Sequence, residues 1–159
     1  MHTNAEQDYL LAIYQIQKNK GVARTIDLAK VLGIKSPSVT DMLGKLCNKD
    51  LILYKKYEGA RLTQSGLKIA KSQLSSQLAF KKFLKRILVP GHLIEKDAHL
   101  LEHGLSPSTM RQFEKFVKFM DLFGENPCFF AHFKLYCQKG KLTAESKNLR
   151  IICPSPKPK

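Results

Sequence analysis

Gly33 is the residue that most restricts how this chain can fold. Before it runs Thr25-Ile26-Asp27-Leu28-Ala29-Lys30-Val31-Leu32, short and apolar enough for a two-turn helix capped by Thr25. After it comes Ser36-Pro37-Ser38-Val39-Thr40-Asp41-Met42-Leu43, which opens a second helix with Ser36 as cap and Pro37 at the first position, where a missing N–H costs nothing. Glycine supplies the left-handed backbone that a tight turn between two helices needs. Val39, Met42, Leu43 and Leu46 recur at helical spacing and give the second helix one buried stripe. Helix, glycine turn and helix in this order predict a helix-turn-helix.

The flanks extend the pattern. Leu10, Leu11, Ile13 and Tyr14 predict a helix over residues 8–17, with Asn4 as its cap. Leu51-Ile52-Leu53-Tyr54 and Ala60-Arg61-Leu62-Thr63, joined across Glu58-Gly59, predict a hairpin that would form a wing. A long helix follows over 64–88 until Val89-Pro90-Gly91 breaks it, and another covers 92–105. Ser106-Pro107 repeats the cap-then-proline opening for a helix reaching about Phe123 before Gly124. Cys128 to Gln138 is aromatic enough for one more helix, and Pro154 to Lys159 reads as a disordered basic tail. The expected fold is therefore mainly α. A winged helix-turn-helix over residues 1–63 with a small β-hairpin wing precedes an all-helical domain over 64–124, and a cysteine-containing tail fills 125–159.

Charge separates these regions. The chain carries a net +14. Residues 18–61 hold ten basic and four acidic side chains, 62–91 six basic and none acidic, and 125–159 seven basic and two acidic. Residues 1–17 and 92–124 are instead slightly acidic, two islands suited to a cation. The basic arms suit a polyanion, because neutralising phosphates releases condensed counterions. No stretch approaches the roughly 20 consecutive apolar residues of a membrane span, and the first residues lack a signal-peptide pattern, so a cytoplasmic protein is expected. Four cysteines, unevenly placed, read as thiols or ligands rather than as a disulfide framework.

In a helix-turn-helix the N-terminal end of the second helix enters the major groove of double-stranded DNA. Here that end presents Lys35, Ser36, Pro37, Ser38 and Thr40: hydroxyls for phosphates or bases, a cation for phosphate, and an apolar ring for a thymine methyl. Lys55, Lys56 and Arg61 of the wing would follow the backbone. Winged helices also serve as protein-interaction modules, and the charge favours DNA over that reading.

These blocks resemble the iron- and manganese-dependent repressors of the DtxR/MntR type. The resemblance covers about residues 5–124. It is carried by Asp8-Tyr9-Leu10 with Ile13-Tyr14, Thr25 to Ala29, Ser36 to Leu43, Tyr57-Glu58-Gly59 with Leu62-Thr63-Gln64-Ser65-Gly66, and Leu101-Glu102-His103-Gly104-Leu105-Ser106. It implies a homodimer that binds DNA when charged with divalent metal and represses metal-uptake genes. With only about 35 residues after Gly124, the further small β-barrel domain of some members is not expected here.

His99, Glu102 and His103 stand at i, i+3 and i+4, one face of a helix, so two imidazoles and a carboxylate can converge on one ion. Such a set suits Fe(II), Mn(II), Co(II) or Zn(II). The resemblance adds Asp8 as a fourth ligand, which would tie the DNA-reading domain to the dimerising one. It also exposes departures. Leu11 and Gln77 stand where manganese-selective members place Glu and His, and Lys81 where many relatives are acidic, so a second metal site is expected to be missing. His99 replaces an acid or thiol, which favours iron, cobalt or zinc over manganese, since manganese prefers oxygen, and Fe(II) is the expected effector with Mn(II) next. Without metal, Asp8 suits a first helical turn through the macrodipole and the triad is a solvated face. A degenerate relative that binds DNA independently of this site, or senses through tail cysteines, is the alternative reading.

His-x-x-Glu-His also marks one class of zinc peptidases. That reading needs a further acidic ligand, for which Glu114 and Glu125 are the near candidates, and it leaves the helix-turn-helix without a purpose. No enzyme is expected. In the tail, Cys128, Cys137 and Cys153 with His132 could hold zinc, or the thiols an iron–sulfur cluster. Buried cysteines among Phe129, Phe130, Phe133 and Tyr136 are the simpler reading.

Overall fold

The structure, a computed structural model, describes residues 2–122 and 128–141. The expected tail at Pro154–Lys159 lies outside the described residues, as does Cys153. The chain divides into two compact units, Met1–Ser75 and Ser76–Lys159, with the division inside one helix.

The first unit holds helices α1 (Asn4–Lys20), α2 (Thr25–Leu32) and α3 (Ser36–Asn48), strands β1 (Ile52–Lys55) and β2 (Gly59–Leu62), and the start of α4 (Gln64–Arg86). The cap of α1 is Thr3 rather than Asn4: its hydroxyl accepts from the Glu6 N–H while the Glu6 carboxylate accepts from the Thr3 N–H, a reciprocal capping box. Thr25 and Ser36 likewise fall inside their helices. Arg24 and Lys35 occupy the capping positions without a side-chain bond, and Pro37 sits in the first turn of α3 as expected. Gly33 ends α2 at φ +67°, the left-handed conformation the turn demanded.

Leu10, Ile13, Leu28, Val39, Leu43 and Leu46 are fully buried in one cluster with Ile52 and Ala60 of the hairpin. The strands pair antiparallel, Ile52 opposite Leu62 and Lys55 opposite Gly59. Ala23 extends this pairing, exchanging backbone hydrogen bonds of 3.0 and 2.8 Å with Ala60. Gly59 makes that approach feasible: it lies at φ +95°, and a Cβ there would stand 2.8 Å from the Ala23 carbonyl oxygen. The Gln17 side chain accepts from the Leu62 N–H at 3.0 Å, pinning the hairpin to α1. Lys49 at the end of α3 reaches buried Glu6 at 2.5 Å, and this bond, backed by the Thr3 N–H, holds the Glu6 carboxyl below its ordinary range.

The second unit holds the rest of α4, with α5 (Gly91–Gly104), α6 (Pro107–Asp121) and α7 (Cys128–Lys139). Ser106 caps α6 by accepting from the Thr109 N–H, with Pro107 in the first turn. Phe80 stacks on Phe113 at 4.3 Å between centroids, and Phe83 meets the same ring edge-on at 5.0 Å. Phe80, Leu84 and Ala98 form the buried cluster, with Ile94, Leu101 and Leu105 packed against it. Burial pushes the Asp121 carboxyl upward, but Lys82 at 2.6 Å and Arg86 at 2.8 Å outweigh that and hold it low. α4 stops at a left-handed non-glycine residue, Leu88 at φ +66°, with Val89 N–H donating back to the Leu84 carbonyl.

Candidate metal centre and nucleic-acid interface

The packing of α5 decides which way its polar residues face. Ile94, Ala98, Leu101 and Leu105 turn toward Phe80 and Leu84 of α4. His99 and His103, one turn apart on another side of the helix, have ring centroids 4.6 Å apart, nearly perpendicular at 85°. Glu102 lies between them in sequence and is only 8% exposed. A carboxylate is rarely so buried unless a positive or donating partner meets it. Two imidazoles this close offer nitrogen donors of the kind a divalent transition ion takes.

Asp8 belongs to the first unit. It stands half-buried on α1, where its Oδ1 accepts from the Gln73 Nε2 of α4 at 3.2 Å. Leu11 is buried at 7%, and Lys81 pairs with Glu95 of α5 at 2.5 Å. Lys81 is therefore an ion-pair partner for α5.

The DNA-facing expectations fall together on one exposed set. Lys35, Ser36, Pro37, Ser38 and Thr40 are all exposed at the start of α3, and Lys55, Lys56 and Arg61 are exposed on the hairpin. The Thr40 hydroxyl donates to the Ser36 carbonyl at 3.2 Å, so its proton is engaged while its oxygen stays open to a donor. Lys55 meets Glu58 at 3.2 Å across the wing, an exposed pair of small energetic weight. The sequence reading passed over two features. Tyr57 at the wing tip is 87% exposed, with the Lys56 ammonium 5.7 Å from its ring centroid. The Tyr9 hydroxyl donates to the Ser38 carbonyl at 3.4 Å, linking α1 to the first turn of α3. Tyr57 was legible as an aromatic inside a turn; the Tyr9 contact had no local signal.

In the tail, α7 begins at Cys128 and places Cys137 in the open as a free thiol; Cys47 is also free and packs half-buried against the first core. Cys153 and the Cys128 side chain lie outside the described residues, and with them the expected three-thiol grouping with His132. No helix among the described residues is long and apolar enough to cross a membrane.

A winged helix-turn-helix followed by a helical unit carrying a histidine–carboxylate face defines a DNA-binding regulator with a metal-binding effector domain, and the comparisons with known proteins agree. The chain belongs to the iron-dependent repressor family: "Iron dependent repressor, N-terminal DNA binding domain" matches residues 1–60 and "Iron dependent repressor, metal binding and dimerisation domain" matches residues 63–123. It is 34% identical over 121 residues to the HTH-type transcriptional regulator MntR of Bacillus pumilus, covering 76% of this chain and 84% of that one. The MntR of Lysinibacillus sphaericus is also 34% identical, over 80% of this chain and 89% of that one. Among solved structures, the manganese regulator SloR superposes with a TM-score of 0.63 at 28% identity, covering 74% of this chain and 55% of SloR. IdeR of T. acidophilum gives 0.61 at 26%, covering 73% and 55%. The chain thus spans about half the length of these solved relatives. It is a metal-dependent transcriptional repressor of the MntR/DtxR type, not an enzyme, and the zinc-peptidase reading of His-x-x-Glu-His falls away.

Proposed function

We propose that this protein is a cytoplasmic homodimer that represses metal-uptake genes when one divalent ion, Fe(II) in preference to Mn(II), occupies a site built from Asp8, His99, Glu102 and His103. The observation that carries the reading lies on α5, where the imidazoles of His99 and His103 are 4.6 Å apart and Glu102, the residue before His103, is buried. The ion supplies two positive charges that let carboxylates and imidazoles share one position. The protein supplies a nitrogen-rich set, which ranks Fe(II) above Mn(II). Leu11 and Gln77 offer neither carboxylate nor imidazole at the places where manganese-selective members have them, which supports one ion per chain rather than two.

Lys35, Ser36, Pro37, Ser38 and Thr40 would meet base edges and phosphates in the major groove, and Lys55, Lys56 and Arg61 the backbone alongside. Dimerisation is supported by the second unit's apolar surface. Phe116, Phe119 and Leu122 repeat every three residues along α6 and its end at 46, 53 and 39% exposure, a stripe that a second copy would cover. The organisation 1–63, 64–124 and 125–159 remains the functional division we propose.

Anaerobic equilibrium dialysis tests the metal reading. One ion per chain and tighter Fe(II) than Mn(II) are expected. Two ions per chain, or Mn(II) held tighter than Fe(II), would overturn it.

A further inference from the structure

We propose that Gln73 is a positioning residue for the metal centre, holding the Asp8 carboxylate in the orientation in which it ligates. The inference rests on the reading of Asp8 as a ligand. Gln73 lies on α4 in the first unit, is 6% exposed, and donates from Nε2 to Asp8 Oδ1 at 3.2 Å across 65 residues of sequence. Its other end is the informative one: Oε1 is buried and has no hydrogen-bond partner among the described residues.

A buried amide ordinarily satisfies both ends, and an acceptor left bare is unfavourable. Of the buried positions nearest it on α4, Ala70 is small and apolar, and Ser76 is polar with its hydroxyl donating to the Glu114 carboxylate, so a polar side chain is kept at this depth where it meets a carboxylate. What the glutamine contributes is likewise the donor on Asp8.

The chemistry of that donor suits a cation site. Lysine or arginine in its place would neutralise the carboxylate and repel a divalent ion. A neutral amide fixes the plane of the carboxylate through Oδ1 without cancelling its negative charge. The remaining Oε1 is an acceptor of the kind that water carried by a divalent cation can meet. Partners of this type outside the ligand set change metal affinity by about 10–100-fold when removed.

The test uses the full chain with Co(II) as probe, because its visible absorption bands report the coordination geometry. Wild type, Gln73→Leu, Gln73→Met and Asp8→Ala are titrated, and each is melted without metal. The expectation for Gln73→Leu is Co(II) affinity lowered by about 10–100-fold, altered visible bands, and an apo melting temperature no lower than wild type. Gln73→Met decides the matter should the leucine variant not fold. Unchanged affinity and bands in the folded Gln73 variants, with affinity lost in Asp8→Ala, would overturn the role of Gln73 and leave the metal site standing. Weaker binding accompanied by a lower apo melting temperature and unaltered bands would mark a packing role and also overturn it. Unchanged binding in Asp8→Ala would remove Asp8 from the ligand set and the inference with it.

Discussion

In the first unit Leu10, Ile13, Leu28, Val39, Leu43 and Leu46 are closed off from solvent around one centre, fed by three helices and the hairpin. In the second, a smaller buried cluster around Phe80, Leu84 and Ala98 sits beside Leu100, Phe116 and Phe119, which stay 58, 46 and 53% exposed. Leucine is shared equally between the units, eleven in each, whereas all nine phenylalanines fall in the second, so the difference is one of composition as well as arrangement. A core that closes on itself needs nothing further to fold. A helix with apolar residues on a second side asks for a partner, which the proposed homodimer supplies. The first unit also exposes Ile26, Val31 and Leu53, at 76, 55 and 67%, yet the start of α3 and the wing hold mainly hydroxyls, lysines and Tyr57, a surface for a charged ligand.

Truncating the closed core is the strongest way to break this contrast. Leu43→Ala should cost about 2–5 kcal/mol in chemical denaturation, through lost burial plus an unfilled cavity. A cost below about 1 kcal/mol would mean the first core is not close-packed.

Phe119→Lys should leave circular dichroism intact while weakening self-association by at least about 30-fold in sedimentation equilibrium, since a central aromatic of an interface is worth about 2 kcal/mol or more. An unchanged association constant would place the dimer contact elsewhere.

Glu6→Gln should cost about 1–2 kcal/mol at neutral pH by removing the charged partner of Lys49. Because the folded Glu6 carboxyl lies below its ordinary range, this contribution is present in full above the ordinary carboxylate range. It is lost as pH falls through the lowered folded value. Urea denaturation of wild type and variant should converge on acidification, and a gap that persists would contradict the assignment.

Leu88→Gly is the smallest effect. Relief of the left-handed backbone should raise stability by up to about 1 kcal/mol, partly offset by lost apolar contact. A loss exceeding about 1 kcal/mol would show that the Leu88 side chain matters more than its φ.

The two units were not equally legible. Gly33, Pro37 and the alternation into the hairpin carry local instructions, so the helix-turn-helix could be read residue by residue. Thr3 was missed because its role depends on Glu6 reaching back, a reciprocal bond that Asn4 imitates in sequence. On α5 the pairing of the His99 and His103 rings was legible from their i, i+4 spacing. Gln73 was not, because its partner is 65 residues away and nothing local distinguishes a glutamine that holds a carboxylate from one on a solvated face. The Tyr9 contact with Ser38 was hidden for the same reason.

The central claim is that the α5 face governs DNA binding through a metal. The direct measurement is fluorescence anisotropy of the full chain on a duplex enriched from a random library by metal-loaded protein, with Fe(II), with Mn(II) and with chelator, for wild type and His103→Ala. The account predicts tight binding of wild type with metal, loss of at least tenfold in affinity with chelator (about 1.4 kcal/mol), and a His103→Ala protein that binds weakly under all conditions. Binding by wild type that is indifferent to chelator and unchanged in His103→Ala would contradict it and identify a regulator that holds DNA independently of this site.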